Sequence, residues 1–207
     1  MKNKKMKTML LSLGLVGVVG AGATFALFSA QTEIVTNTFT FGQGISQIKL
    51  EEKIVDPDTH KTVVGEGAGW RTENTYNKIQ PAEVLDKEPT IKLTTDVPVY
   101  LFVSVENQDS TNLTPNIAEG NDWKFIKNDE VNANKAYYVY TGGGTEAVTV
   151  NPTQLEPGYA VFEKVTVSEN IDDNNAVPNA KIIVNAAAVQ GSIGYAQAEA
   201  EGLNLLK

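Results

Sequence analysis

Residues 20–50, GAGATFALFSAQTEIVTNTFTFGQGISQIKL, join two unlike halves. The first half closes an apolar run, and the second, from Thr32 onward, alternates. Val35, Asn37, Phe39 and Phe41 fall on one face, while Thr36, Thr38 and Thr40 fall on the other. A period of two built from β-branched and aromatic residues is the pattern of a half-buried strand. Gly42 and Gly44 interrupt it. A second strand is then expected, with Ile48 and Leu50 inward and Lys49 and Glu51 outward.

Upstream, Lys2, Lys4, Lys5 and Lys7 form a basic start with no acidic residue, and Met9–Ala23 is apolar apart from Ser12 and several glycines. Thr24-Phe25-Ala26 places small residues two apart at its exit. Basic start, short apolar run and small-x-small exit together make a secretory signal peptide, with cleavage expected at Thr24, Ala26 and Leu27. A retained anchor is disfavoured, because the run falls short of the ~20 apolar residues that span a bilayer. Residues 1–26 are therefore expected to be removed on export.

Removing the four signal lysines from the chain's 17 basic residues leaves 13 against 25 acidic ones, a net charge of −12. That balance opposes binding to nucleic acid, since phosphate contacts require clustered cations. The chain has no cysteine. That removes disulfides, lipoprotein anchoring and thiolate chemistry, and leaves core packing, pairing with neighbours or another crosslink to hold an exported body together.

From residue 45 onward the chain reads as one β-rich domain. Residues 55–80 look like a long excursion punctuated by Gly65, Gly67 and Gly69. A short hairpin strand is expected at Val63 and Val64, and Trp70 and Tyr76 are expected to pin the excursion down. Ile91 and Leu93 alternate with Lys92 and Thr94. Val97–Val105 is apolar on both faces and predicts a central strand. Short strands follow at Trp123–Phe125, Tyr137–Tyr140, Val148–Val150 and Ala160–Val167, and Ile182–Val189 is another continuous apolar run. Tyr195–Leu206 permits one short helix. Eight to ten strands with frequent turns predict an all-β antiparallel sandwich of jelly-roll type with a short C-terminal helix.

Chemistry is sparse. His60 is the single histidine and sits in a polar loop, and no HExxH zinc motif occurs. Gly142-Gly143-Gly144 lies between strands without a following Lys-Ser/Thr, so it reads as a turn and not a phosphate loop. Asp172 and Asp173 lack the ligand spacing of a calcium loop. No catalytic residue, cofactor or metal is expected. Asn185, inside an apolar strand, is a crosslink candidate with Lys92 or Lys164 as partner, against the commoner reading of a hydrogen-bonded asparagine.

The exit segment ATFALFSAQTEIVTNTFTFG (residues 23–42) resembles that of the TasA/camelysin-type biofilm matrix proteins of Gram-positive bacteria. Thr24-Phe25-Ala26, Phe28 and Thr38-Phe39-Thr40-Phe41-Gly42 occupy the places of that family's small-aromatic-Ala exit and Thr-Phe-x-x-Gly step. LEPGYAVFEKVTV (155–167) and AKIIVNAAAVQGSIGYAQAEA (180–200) are similar to later strands and the terminal segment of clostridial-type members. The likeness covers both ends and is patchy between them, and here Leu27 intervenes between Ala26 and Phe28. The camelysin peptidase label does not carry over, for want of a zinc motif.

The resemblance implies a secreted jelly-roll subunit (residues 45–207) that polymerises into extracellular fibres. A dedicated signal peptidase would free an N-terminal donor strand, residues 27–44, which enters the next copy. Val35, Phe39 and Phe41 would be its contacts and Gly42 and Gly44 its hinge. The implied partners are the chain itself, the peptidase and a minor accessory fibre protein. A secreted metallopeptidase-like enzyme and a monomeric surface adhesin using residues 55–80 are the alternatives.

Overall fold

The computed structural model describes residues 29–32, 45–117, 122–172 and 174–207. Twelve strands in three antiparallel sheets and one short helix make up this part of the chain. Among the described residues, no helix is long and apolar enough to cross a membrane.

The largest sheet runs in the order β1 (Ser29–Thr32), β12 (Ile182–Gln190), β6 (Val99–Asn107), β9 (Lys135–Tyr140), β8 (Trp123–Asn128). Its two innermost strands include the two continuous apolar runs of the sequence, paired over their full length from Ile182↔Asn107 to Gln190↔Val99. A strand buried on both faces cannot alternate with polar residues, which is why these two lack the period-two pattern. Val99, Leu101, Val103 and Val105 point to one face, with Val184, Ala186 and Ala188 beside them. Phe102, Tyr137, Val139, Ala187 and Val189 point to the other.

Two smaller sheets contribute to the core on the first face. One is four-stranded, in the order β10 (Tyr159–Ala160), β5 (Pro89–Thr95), β2 (Ile45–Lys53), β3 (Trp70–Arg71). The other is three-stranded, in the order β4 (Val84–Asp86), β11 (Lys164–Val167), β7 (Leu113–Pro115). Ile45, Ile48, Leu50, Ile91 and Leu93 from the first, and Leu85, Val165 and Val167 from the second, join one apolar core with the five-stranded sheet. Ile48 and Leu50 are buried, as their alternation with Lys49 and Glu51 predicts.

Helix α1 (Tyr195–Leu205) packs on the opposite face. Ala198 and Gly202 are its buried positions, and a Cβ at Gly202 would fall 2.7 Å from Phe102 Cγ. Small residues bring the helix backbone down onto the aromatic ring. At the helix end, Lys135 Nζ donates to the Leu206 carbonyl at 2.5 Å, satisfying an otherwise orphaned acceptor.

Three sequence expectations are corrected. Val148–Val150 is not a strand, since Val150 makes one isolated bridge, to Val99. Ala160–Val167 is not one strand: β10 and β11 belong to different sheets, and between them Val161 and Phe162 both pack into the same inter-sheet core, whereas successive residues of a regular strand face opposite ways. Val63 and Val64 form no strand, and Val64 is 83% exposed. The excursion instead turns back through the bridge Val55↔Thr62 and returns to β2 through β3, with Glu52 opposite Arg71 and Lys53 opposite Trp70.

Candidate functional site

Strand β1 lies at one edge of the five-stranded sheet and runs antiparallel to β12, from Ser29↔Val189 to Thr32↔Ala186. The strand that receives it is built from small residues at this point. Ala186, Ala187 and Ala188 are fully buried, two facing the inter-sheet core and one facing α1. β1 also lies beside β2 and α1, so the edge of the sheet meets both other layers here. Among the described residues, β1 pairs only with Ala186–Val189, and the preceding half of β12, Ile182–Asn185, pairs with β6 alone. Below that half sits a cavity of about 30 Å³ lined by Leu50, Glu52, Lys87, Ile182 and Val184. The buried Glu52 carboxylate is held there by Lys87 at 2.8 Å and by the Asn74 amide at 2.9 Å.

The far edge of the sheet is of another kind. β8 carries exposed Lys124 and Lys127, and its register with β9 slips between Phe125 and Lys127. Lysines and a bulge on an edge strand oppose pairing with another chain. Phe125 is half exposed and packs edge-on against Tyr138.

Of the residues singled out from the sequence, Thr24, Ala26, Leu27, Val35, Phe39, Phe41, Gly42 and Gly44 lie outside the described residues. The crosslink candidates are not brought together. Asn185 follows Val184 and precedes Ala186, both of which face the inter-sheet core, so it lies on the face bearing α1; its amide reaches Ser104 Oγ at 3.5 Å. Lys92 lies on the outer face of the four-stranded sheet, between the inward Ile91 and Leu93. Lys164 Nζ binds Asp86 Oδ1 at 2.7 Å.

Lys92 is itself unusual, being only 5% exposed. Its ammonium sits 3.5 Å from the centre of the Trp70 ring, 2.6 Å from Glu156 and 3.5 Å from Glu51. It thereby ties two surface segments to the sheet: the excursion through Trp70, and the 151–158 loop through Glu156. Tyr76 provides a second tie, donating its hydroxyl to the Asp86 carbonyl at 2.7 Å. These contacts give the pinning expected of Trp70 and Tyr76 a physical form.

His60 departs from its sequence reading most. It is 2% exposed, with Nδ1 2.6 Å from Glu83 Oε1 and Nε2 2.6 Å from the Asn77 carbonyl. A local sequence window gave no sign of this, because its partners lie 23 and 17 residues away. The Asp172 carboxylate accepts the Asn174 and Asn175 amides at 2.8 and 3.1 Å. Among the described residues, no three His, Cys, Asp or Glu side chains converge in a way that could hold a metal ion.

No protein-family model, curated protein or solved structure matches this chain.

Proposed function

We propose that the exported chain is a structural subunit of an extracellular biofilm-type fibre. In this reading it is a jelly-roll body that joins its neighbours head to tail by lending its N-terminal strand. The observation that carries the proposal is the place of β1: a four-residue strand at a sheet edge, antiparallel to β12, separated from β2 by residues 33–44. Cleavage after Ala26 would leave this strand close to a new chain terminus.

An edge strand near a terminus is the easiest element to exchange. Moving β1 from its own β12 to that of the next copy breaks and remakes the same main-chain hydrogen bonds, so the exchange itself is close to neutral. Association still costs an estimated 4–15 kcal/mol in lost freedom of the two bodies. Burial of Val35, Phe39 and Phe41 from the alternating segment offsets this by roughly 1.5–3 kcal/mol each. The relation is heterologous and does not close on itself, so it gives an open filament. The lysines and bulge of β8 disfavour pairing at the other edge, which directs assembly to the β12 side.

The partners are then further copies of the chain, a dedicated signal peptidase and a minor accessory fibre protein, at the cell surface or in the extracellular matrix. Electron microscopy of the mature protein, residues 27–207, tests the reading. Filaments are expected, and deletion of residues 27–41 should abolish them. Persistent monomers that turn over a peptide, or that bind a surface through residues 55–80, would replace the proposal with the enzyme or adhesin alternative.

A further inference from the structure

We infer that His60 is a proton-operated clasp: as an imidazolium it fastens the two limbs of the excursion, at residues 56–60 and at Asn77, to the turn before β4, and loss of its proton loosens that fastening. This stands apart from strand exchange, since it involves neither β1 nor β12.

With Glu83 held ionised, the geometry requires two donors from one ring. Nδ1 faces the Glu83 carboxylate and Nε2 faces the Asn77 carbonyl, each at 2.6 Å, and both partners are acceptors only. A neutral imidazole has a single N–H, so one nitrogen of this almost wholly buried ring would turn a lone pair on an acceptor. Only the doubly protonated ring satisfies both. When the proton leaves for solvent, one of the two short contacts becomes repulsive.

These contacts lie where the excursion is tied to itself and to the body. The chain turns at Asp56, whose carboxylate accepts the Asp58 and Thr59 amides at 3.1 and 2.7 Å, and His60 follows with φ of 57°. Its carbonyl accepts the Asp86 amide of β4 at 3.0 Å, and the Asn77 amide reaches across to the Pro57 carbonyl at 2.8 Å. The ring therefore joins the outgoing limb at 56–60, the returning limb at 77 and the turn before β4.

The acids around it favour its charge. Glu83 is in direct contact, with Asp56 on the ring's own turn; both are acids held below their usual range, Glu83 chiefly by the Gln80 amide and then by His60, and Asp56 chiefly by Thr59. Tyr76, whose ring centre is 6.0 Å away, has its pKa raised by burial and is neutral in the relevant range. Lys61, the next residue, is turned to the Val84 carbonyl at 2.7 Å and pairs with Asp86 at 3.6 Å. Burial of the ring disfavours its charge, but Glu83 and the Asn77 carbonyl outweigh that and hold His60 above its ordinary 6.5. Its docking contribution is thus complete below about 6.5 and disappears as the pH rises through the raised value.

Because the chain has one histidine, its ring resonances are unambiguous in an NMR titration of the mature protein. The ring is expected to titrate above 6.5. Exchange protection of the Asn77 amide, corrected for base catalysis, should fall through the same midpoint while that of Val103 in β6 does not. Each unit between the docked and released midpoints makes opening about tenfold easier above the transition than below it. Glu83→Gln should lower the ring midpoint and the Asn77 transition together. A wild-type midpoint at or below 6.5, or Asn77 protection that ignores the titration, overturns the inference without bearing on filament formation.

Discussion

Gln31 and Ala187 are backbone partners across the seam between β1 and β12. Opposed residues of an antiparallel pair have Cα atoms about 4.5–5.5 Å apart, within the range a disulfide spans. The chain is otherwise free of cysteine, so a Gln31→Cys, Ala187→Cys variant reports a single event. If the strand is lent to a neighbour, oxidised filaments should run as covalent ladders on a non-reducing gel. Filaments that dissolve into internally bridged single chains would show that β1 stays at home.

Phe39→Asp tests the alternating segment and not the strand ends. If Phe39 is buried where one copy joins the next, losing it would remove about 1.5–3 kcal/mol from the joint, a rise of roughly 10- to 100-fold in the concentration needed for assembly. Sedimentation of a concentration series measures that threshold. An unchanged threshold would remove Phe39 from the interface.

Gly202→Ala sets two effects against each other. An alanine inside an exposed helix gains up to about 1 kcal/mol over glycine. Here its Cβ would meet the fully buried Phe102 ring of β6, so the ring or the helix would have to shift. Overpacking of this kind costs about 1–3 kcal/mol, so a net loss is expected, read as a lower urea midpoint with an unchanged slope.

Lys92→Ala removes the cation above Trp70 and the partner of Glu156. A desolvated cation–π contact contributes about 2 kcal/mol, and that much destabilisation is expected in urea unfolding. Trypsin should also cut sooner after the exposed Arg71, one residue past the released ring. Equal digestion rates in variant and parent would separate Lys92 from the holding of the excursion.

Asp129 supplies a test in acid. The Tyr137 hydroxyl, followed by the Asn132 and Val131 amides, lowers its pKa to about 2. A depressed acid contributes stability that is present above its unfolded value and lost as the pH falls through the folded one. Unfolding titrations of Asp129→Asn should therefore lose part of the pH dependence that the parent shows between roughly pH 4 and 2. Parallel curves for the two proteins would refute this.

Much of the architecture was legible because its signals are local. The run Val97–Val105 becomes the central β6, Ile182–Val189 becomes β12, and Tyr195–Leu206 becomes α1, each within two residues of its expected bounds. The lysine at position 92 misled by the same logic: alternation correctly sends it to the outer face, but nothing local tells that Trp70 and Glu156 will cover it. His60 likewise reads as a loop residue until Asn77 and Glu83 close around it.

The amino-acid order by itself determined the β class, the central strands, the C-terminal helix, the absence of disulfides and the acidic balance. These follow from side-chain period and composition, which need no distant partner. Tertiary structure alone decided that Val161 and Phe162 break one expected strand between two sheets, that Asn185 and Lys92 face opposite sides of the body, and that β1 runs against Ala186–Val189. Each of those depends on which strand lies beside which, a choice made by the whole core and written in no single stretch.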